Sequence, residues 1–80
     1  LDLSFNHVTD AGAIALARSP LAEGLRSLAL RYNQVGDDGA KAILDSPLKE
    51  GLLHLDMSDQ TGLSDGMRRK MKRAFGKRLV

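Results

Sequence analysis

His54, Asp56 and Ser58 place the three side-chain types of a hydrolytic triad within five consecutive residues. In such a triad a serine hydroxyl attacks, an imidazole takes its proton and a carboxylate fixes the imidazole. That chemistry needs hydrogen bonds of about 2.6–3.2 Å in a set order. Alternate residues of a strand instead share one face at a spacing of about 6.5–7 Å. Nothing nearby supplies an oxyanion hole, so the three residues are read as solvated positions on a strand face. His54 and Asp56 are also two metal ligands, short of the three or four that a stable transition-metal site uses. Gly36 and Gly39 lack the lysine and the glycine spacing of a phosphate loop. The sequence therefore assigns no catalytic residue, no metal and no cofactor, and the expected protein is not an enzyme.

A second chemistry lies at the other end of the chain. Residues 66–80 hold seven basic residues and no acid, while residues 1–65 hold ten acids and five bases, so segments of +7 and −5 make the net +2. Blocks of this kind contact nucleic acid or anionic lipid in some proteins. Here the block has helical spacing. Met67, Met71, Ala74 and Phe75 fall on one stripe, and Arg68, Arg69, Lys70, Lys72 and Arg73 fill the remaining positions. Ser64 suits the N-cap and Gly76 the C-terminal stop. The helix expected over about 64–75 is first a cap that closes an apolar core. Its five bases are the candidate anion-binding residues of an alternative reading, in which the helix binds nucleic acid or anionic membrane. Leu79 and Val80 are expected to tuck back.

The elements that position these residues follow from an internal repeat. Residues 28–52 match residues 1–25 at 14 of 25 positions, among them Leu1/Leu28, Leu3/Leu30, Asn6/Asn33, Val8/Val35, Gly12/Gly39 and the Ser-Pro-Leu at 19–21 and 46–48. A fixed period of this length marks a stacked array in which each unit needs only its neighbours. Leucines two apart predict short strands with one buried face. The asparagine after each strand predicts a ladder, because a buried amide both donates to and accepts from turn backbone. Ala11–Arg18 and Asp38–Asp45 carry apolar residues at helical spacing, with Thr9 suited to an N-cap and Asp10 and Asp37 to the positive helix end. Pro20 and Pro47 end these helices, and Gly24 and Gly51 turn the chain onward. A third unit starts at Leu52 and departs: Gln60 stands for asparagine, an extra residue precedes Leu63, and Met67-Arg68 replaces Gly-Ala. The ladder is expected to be disturbed at Gln60, and ordinary repeat geometry is not carried past Asp59.

Leu25, Leu28, Leu30, Asn33, Val35, Gly39, Ala40 and Ile43 spell L-x-x-L-x-L-x-x-N-x-V followed by Gly-Ala and a helix. This resembles a leucine-rich repeat, and the 27-residue length with a helical return leg is similar to the ribonuclease-inhibitor-like class, bacterial arrays with G-D-x-G-A repeats above all. The resemblance implies an α/β solenoid, a horseshoe fragment with short parallel strands on the concave side and helices on the convex side. The repeats would be 1–24, 25–51 and 52–65, in one domain over 1–80. Because the chain opens on the first leucine of a repeat, it is expected to be the C-terminal part of a longer array with an exposed first strand.

The resemblance also implies a protein-interaction scaffold that takes an unknown protein partner on its concave face. By phase that face presents Asp2, Ser4, Ser27, Arg31, Tyr32, His54, Asp56 and Ser58. Phe5 and Tyr32 are as well suited to packing beside the asparagine turn as to contact. His7 aligns with Gln34 and is read as a surface turn residue. No small-molecule substrate is expected, and the exposed first strand could pair with a second copy. With no cysteine and no apolar run of membrane-spanning length, the cytoplasm is the expected compartment.

Overall fold

In the computed structural model, which describes residues 1–80, Leu28 and Leu55 centre two short parallel strands, β1 (Ser27–Ala29) and β2 (His54–Asp56). They pair Ser27 with His54, Leu28 with Leu55 and Ala29 with Asp56, a register equal to the repeat length. The first unit joins at the opposite edge through the parallel bridge of Asp2 with Ala29. Leu28, Leu30, Leu55 and Met57 point inward and are buried, while Ser27 and His54 on the other face are exposed. The result is a leucine-rich α/β fold with a small parallel sheet.

The return legs are α1 (Asp10–Arg18) and α2 (Asp37–Leu44), packed side by side. Ala13 and Ala40 are completely buried, so small side chains set the approach between the layers. Gly39 has a specific steric reason: a Cβ there would lie 2.7 Å from Asp10 Oδ1 and 2.8 Å from Val35 Cγ1.

The helix starts differ from expectation. Thr9 sits at the N-cap of α1, yet its side chain makes no capping bond. Asp10 serves the next repeat instead, its Oδ1 accepting from Gly36 N at 2.6 Å and Gly39 N at 3.0 Å. Gly36 is the N-cap of α2 and has no side chain to cap with, so the preceding repeat provides the carboxylate. Asp37 repeats the arrangement one unit on, accepting from Ser64 N at 2.8 Å.

The prolines do more than end helices. Ser-Pro-Leu starts a further turn each time, a 3-10 turn at Pro20–Glu23 and the short helix α3 at Leu48–Gly51. Ser19 Oγ accepts from Leu21 N and Ser46 Oγ from Leu48 N, and the turns bury Ala22 and Leu48. Proline suits such a start because it lacks the amide that would be orphaned there.

Asn33 forms the expected ladder. Its Nδ2 donates to Leu3 O and Leu30 O, both at 2.9 Å, while its Oδ1 accepts from Val8 N at 2.8 Å and Asn6 N at 3.0 Å. At Gln60 the ladder continues in altered form, a disturbance as expected. Gln60 is buried, donates to Leu30 O and Ser58 O, and accepts from Val35 N at 3.1 Å. The longer side chain keeps the equivalents of two Asn33 bonds, to Leu30 O and from Val35 N, but accepts nothing from the Asn33 amide and bonds Ser58 O in place of Met57 O. Repeat geometry nevertheless continues past Asp59: Gly36 bridges Gly62, and Ser64 N donates to Asp37 Oδ1. The extra residue is absorbed before Ser64, whose Oγ caps Met67 N at 3.1 Å.

The last helix, α4 (Asp65–Phe75), buries Met71 and Phe75 and packs against α2. After a 3-10 turn at Gly76–Arg78 the chain returns to the sheet, with Val80 N donating to Leu55 O at 2.8 Å and Met57 N to Val80 O at 3.3 Å. Arg78 closes this end. Its guanidinium donates to Lys49 O and Leu52 O at 2.9 and 2.7 Å and to Ala74 O and Phe75 O at 3.2 Å each, and lies 4.9 Å from the centre of the Phe75 ring. One cation thereby satisfies carbonyls at the C-terminal ends of two helices, where a positive charge is favoured.

Candidate functional site

The sheet has one face in the core and one open, and the residues expected on the open face fall in rows across it. Asp2, Ala29 and Asp56 are paired neighbours, and so are Ser27 and His54. The row of Ser4, Arg31 and Ser58 lies at the strand exits, where Phe5 N donates to Arg31 O and Tyr32 N to Ser58 O. The triad candidates assemble differently from their strand spacing. Beyond Met57 the chain turns, and Ser58 donates to Asp56 Oδ1 from its hydroxyl at 2.6 Å and its amide at 3.0 Å. His54 makes no side-chain hydrogen bond. A serine bonded directly to a carboxylate has no imidazole to take its proton, so the pair acts as a turn lock. Asp2 does the same with Ser4 N at 2.9 Å, and that amide bond holds the Asp2 carboxyl below the usual carboxylate range. No three His, Asp or Glu side chains converge as a metal site.

The feature that sequence reasoning missed is backbone conformation. Phe5, Tyr32 and Asp59, one repeat apart, all have positive φ, at 62°, 55° and 59°. Aspartate tolerates this region, whereas a bulky aromatic residue there is an outlier. Nothing in the residue types announces it, since none of the three is glycine. The turn holds the two rings outward. Phe5 is 67% exposed and Tyr32 47%, and they stack with centroids 4.8 Å apart and an interplanar angle of 20°. Arg31 lies over the Tyr32 ring, 5.1 Å from its centroid, and reaches Asp59 at 3.6 Å. Phe5, Tyr32, Arg31 and Asp59 thus form one connected surface group. His7 and Gln34 lie beside it, joined at 3.1 Å.

A cleft of about 390 Å³ is lined by Met57, Leu63, Met71 and Leu79 together with Arg68 and Lys72. Of the basic candidates, Arg68 donates to Gln60 O at 3.3 Å, while Arg69, Lys70, Lys72 and Arg73 are exposed on the outside of α4. No helix is long and apolar enough to cross a membrane.

A family model described as a leucine-rich repeat matches residues 1–17 and 25–44. Those segments contain the two leucine pairs, both asparagines and both helices whose placement is given above. These two stretches are similar to leucine-rich repeats. Comparison with curated proteins and with solved structures gives no match. Leucine-rich-repeat domains generally mediate protein–protein interaction and are typically binding modules without enzymatic activity.

Proposed function

We propose that this chain is a leucine-rich-repeat protein-interaction scaffold that docks a protein partner on its open strand face. The observation that carries the reading is the exposed Phe5–Tyr32 stack. Two aromatic rings are held in a backbone region that costs on the order of 1–3 kcal/mol per residue, and strain of that kind concentrates where a site needs it. A buried core would explain strained aromatics by packing, but these rings are solvent-facing. Tyrosine and arginine are also the residue types that dominate interface energetics. The finer architecture belongs to the same proposal: a ribonuclease-inhibitor-like, bacterial-type array whose open face is the concave side of a horseshoe. The 27-residue register and the helical return legs support it. Asp2, Ser4, Ser27, His54, Asp56 and Ser58 then form the polar surround of the Arg31–Tyr32 centre.

The test is Tyr32→Gly. Glycine relieves the positive φ while losing a stack worth about 0.5–1.5 kcal/mol, so stability should change little. Proteins captured from a lysate by the immobilised chain should be lost by Tyr32→Gly and Arg31→Ala and retained by Lys41→Ala on α2. Capture that ignores Tyr32 and Arg31, or a large loss of melting temperature in Tyr32→Gly, would overturn the reading.

A further inference from the structure

The outer side of α4 takes no part in the strand face and none in the core. Met71 and Phe75 turn inward. At about 100° per residue, Arg69 and Arg73 stand opposite them, with Lys70 and Lys72 on the two flanks. Two other arginines of this end are occupied with backbone carbonyls, Arg68 with one and Arg78 with four. The four outer bases are not. The ion pairs of the molecule are Arg31–Asp59 and Lys41–Asp45, and neither involves α4. Arg69, Lys72 and Arg73 converge on a shallow depression of about 300 Å³ lined by nothing else. Like charges three and four residues apart repel and destabilise a helix, so the cluster works against the cap it sits on.

We infer that this ridge binds the phosphate backbone of duplex DNA. A convex helix about 10–12 Å across, with its bases outermost, matches a major groove about 12 Å wide. The ridge has no aromatic side chain for stacking unpaired bases, which favours a duplex over a single strand, and the contacts assigned to its four cations are with phosphates. A bilayer is the poorer fit, because membrane-surface helices insert an apolar face and that of α4 is already buried.

The experiment is fluorescence anisotropy of a labelled 20-base-pair DNA duplex titrated with the 80-residue chain between 50 and 200 mM KCl. Three or four phosphate contacts give a log–log salt slope of about −2.7 to −3.6, which is a loss of about 40- to 150-fold in affinity over that range. Arg69→Glu with Arg73→Glu should abolish binding and keep the thermal melt. Arg69→Gln with Arg73→Gln, a milder change, should flatten the slope by about 1.8. Absence of binding at 50 mM KCl, a slope shallower than about −2, or unchanged binding by both double variants would overturn the inference. So would binding to vesicles containing phosphatidylserine without binding to the duplex.

Discussion

Replacing Asn33 by alanine removes the most connected side chain between the first two repeats. Its carboxamide donates to Leu3 O and Leu30 O and accepts from Asn6 N and Val8 N, all at 2.8–3.0 Å. Each buried backbone group left without a partner costs about 1–3 kcal/mol. Asn6 is exposed and Leu3 only partly covered, so water reaches some of the four and the sum does not apply. The Leu30 carbonyl is better protected, and it keeps a bond from Gln60. We therefore expect Asn33→Ala to cost about 2–3 kcal/mol, a large share of the roughly 4–12 kcal/mol available to a chain of this size. At about 4–8 °C per kcal/mol, the melting temperature should fall by at least about 8 °C. The molecule contains its own control, because Asn6 is the same residue one repeat earlier and its side chain bonds only to Ser4 O on the surface. Asn6→Ala should cost less than about 0.5 kcal/mol, as surface substitutions do. Urea unfolding followed by circular dichroism measures both. A cost for Asn33→Ala within 0.5 kcal/mol of that for Asn6→Ala, at unchanged m-value, would refute the ladder as a source of stability.

Three other outcomes follow from the cap and the helix ends. Arg78→Ala should cost about 2–3 kcal/mol by urea unfolding, and Arg78→Lys should recover little, because a point charge cannot fork to carbonyls on two helices. Met71→Asp places a charge at a fully buried position; it should abolish the cooperative melt, and an unchanged melt would show that α4 does not close the core. Asp37 lies below the usual carboxylate range because the Ser64 amide bonds it. A depressed folded value means its stabilisation is present above the ordinary carboxylate value and is lost as pH falls through the folded one. Asp37→Asn should thus be less stable than the parent at pH 6, with the gap closing at acid pH; a pH-independent gap would refute the assignment.

How far the sequence was legible depends on whether a residue serves its own repeat or its neighbour. Leu28, Leu30, Leu55 and Met57 bury themselves by strand alternation, and Asn33 falls in a phase where a buried amide has an evident use. Ser64 caps its own helix and was readable as such. By local rules Asp10 supports its own helix, but its partners lie 26 and 29 residues ahead, a distance such rules do not span. The extra methylene of Gln60 announces a disturbed ladder, but not that its amide still bonds Leu30 O and Val35 N. Arg78 looked like one more base of a charged tail, since nothing in its neighbours announces four carbonyls waiting in space. The positive φ of Phe5 and Tyr32 escaped for the opposite reason: residue type argues against it, and only the turn imposes it.

The Asp10 and Asn33 contacts run in opposite directions across one boundary. Asp10 of the first unit completes the helix start of the second, and Asn33 of the second completes the turn of the first. Neither unit is therefore chemically whole alone, and each boundary is a two-way exchange. In the language of a one-dimensional chain of coupled elements, the intrinsic term of a repeat is poor and the nearest-neighbour term is strong. Such an array does not fray unit by unit; it melts as a block. It also follows that a repeat can be duplicated only as a unit carrying both letters, the asparagine behind its strand and the aspartate at its helix start. A unit copied from residues 28–54 carries both. A unit lacking either would leave a seam on one side and act as a fracture plane.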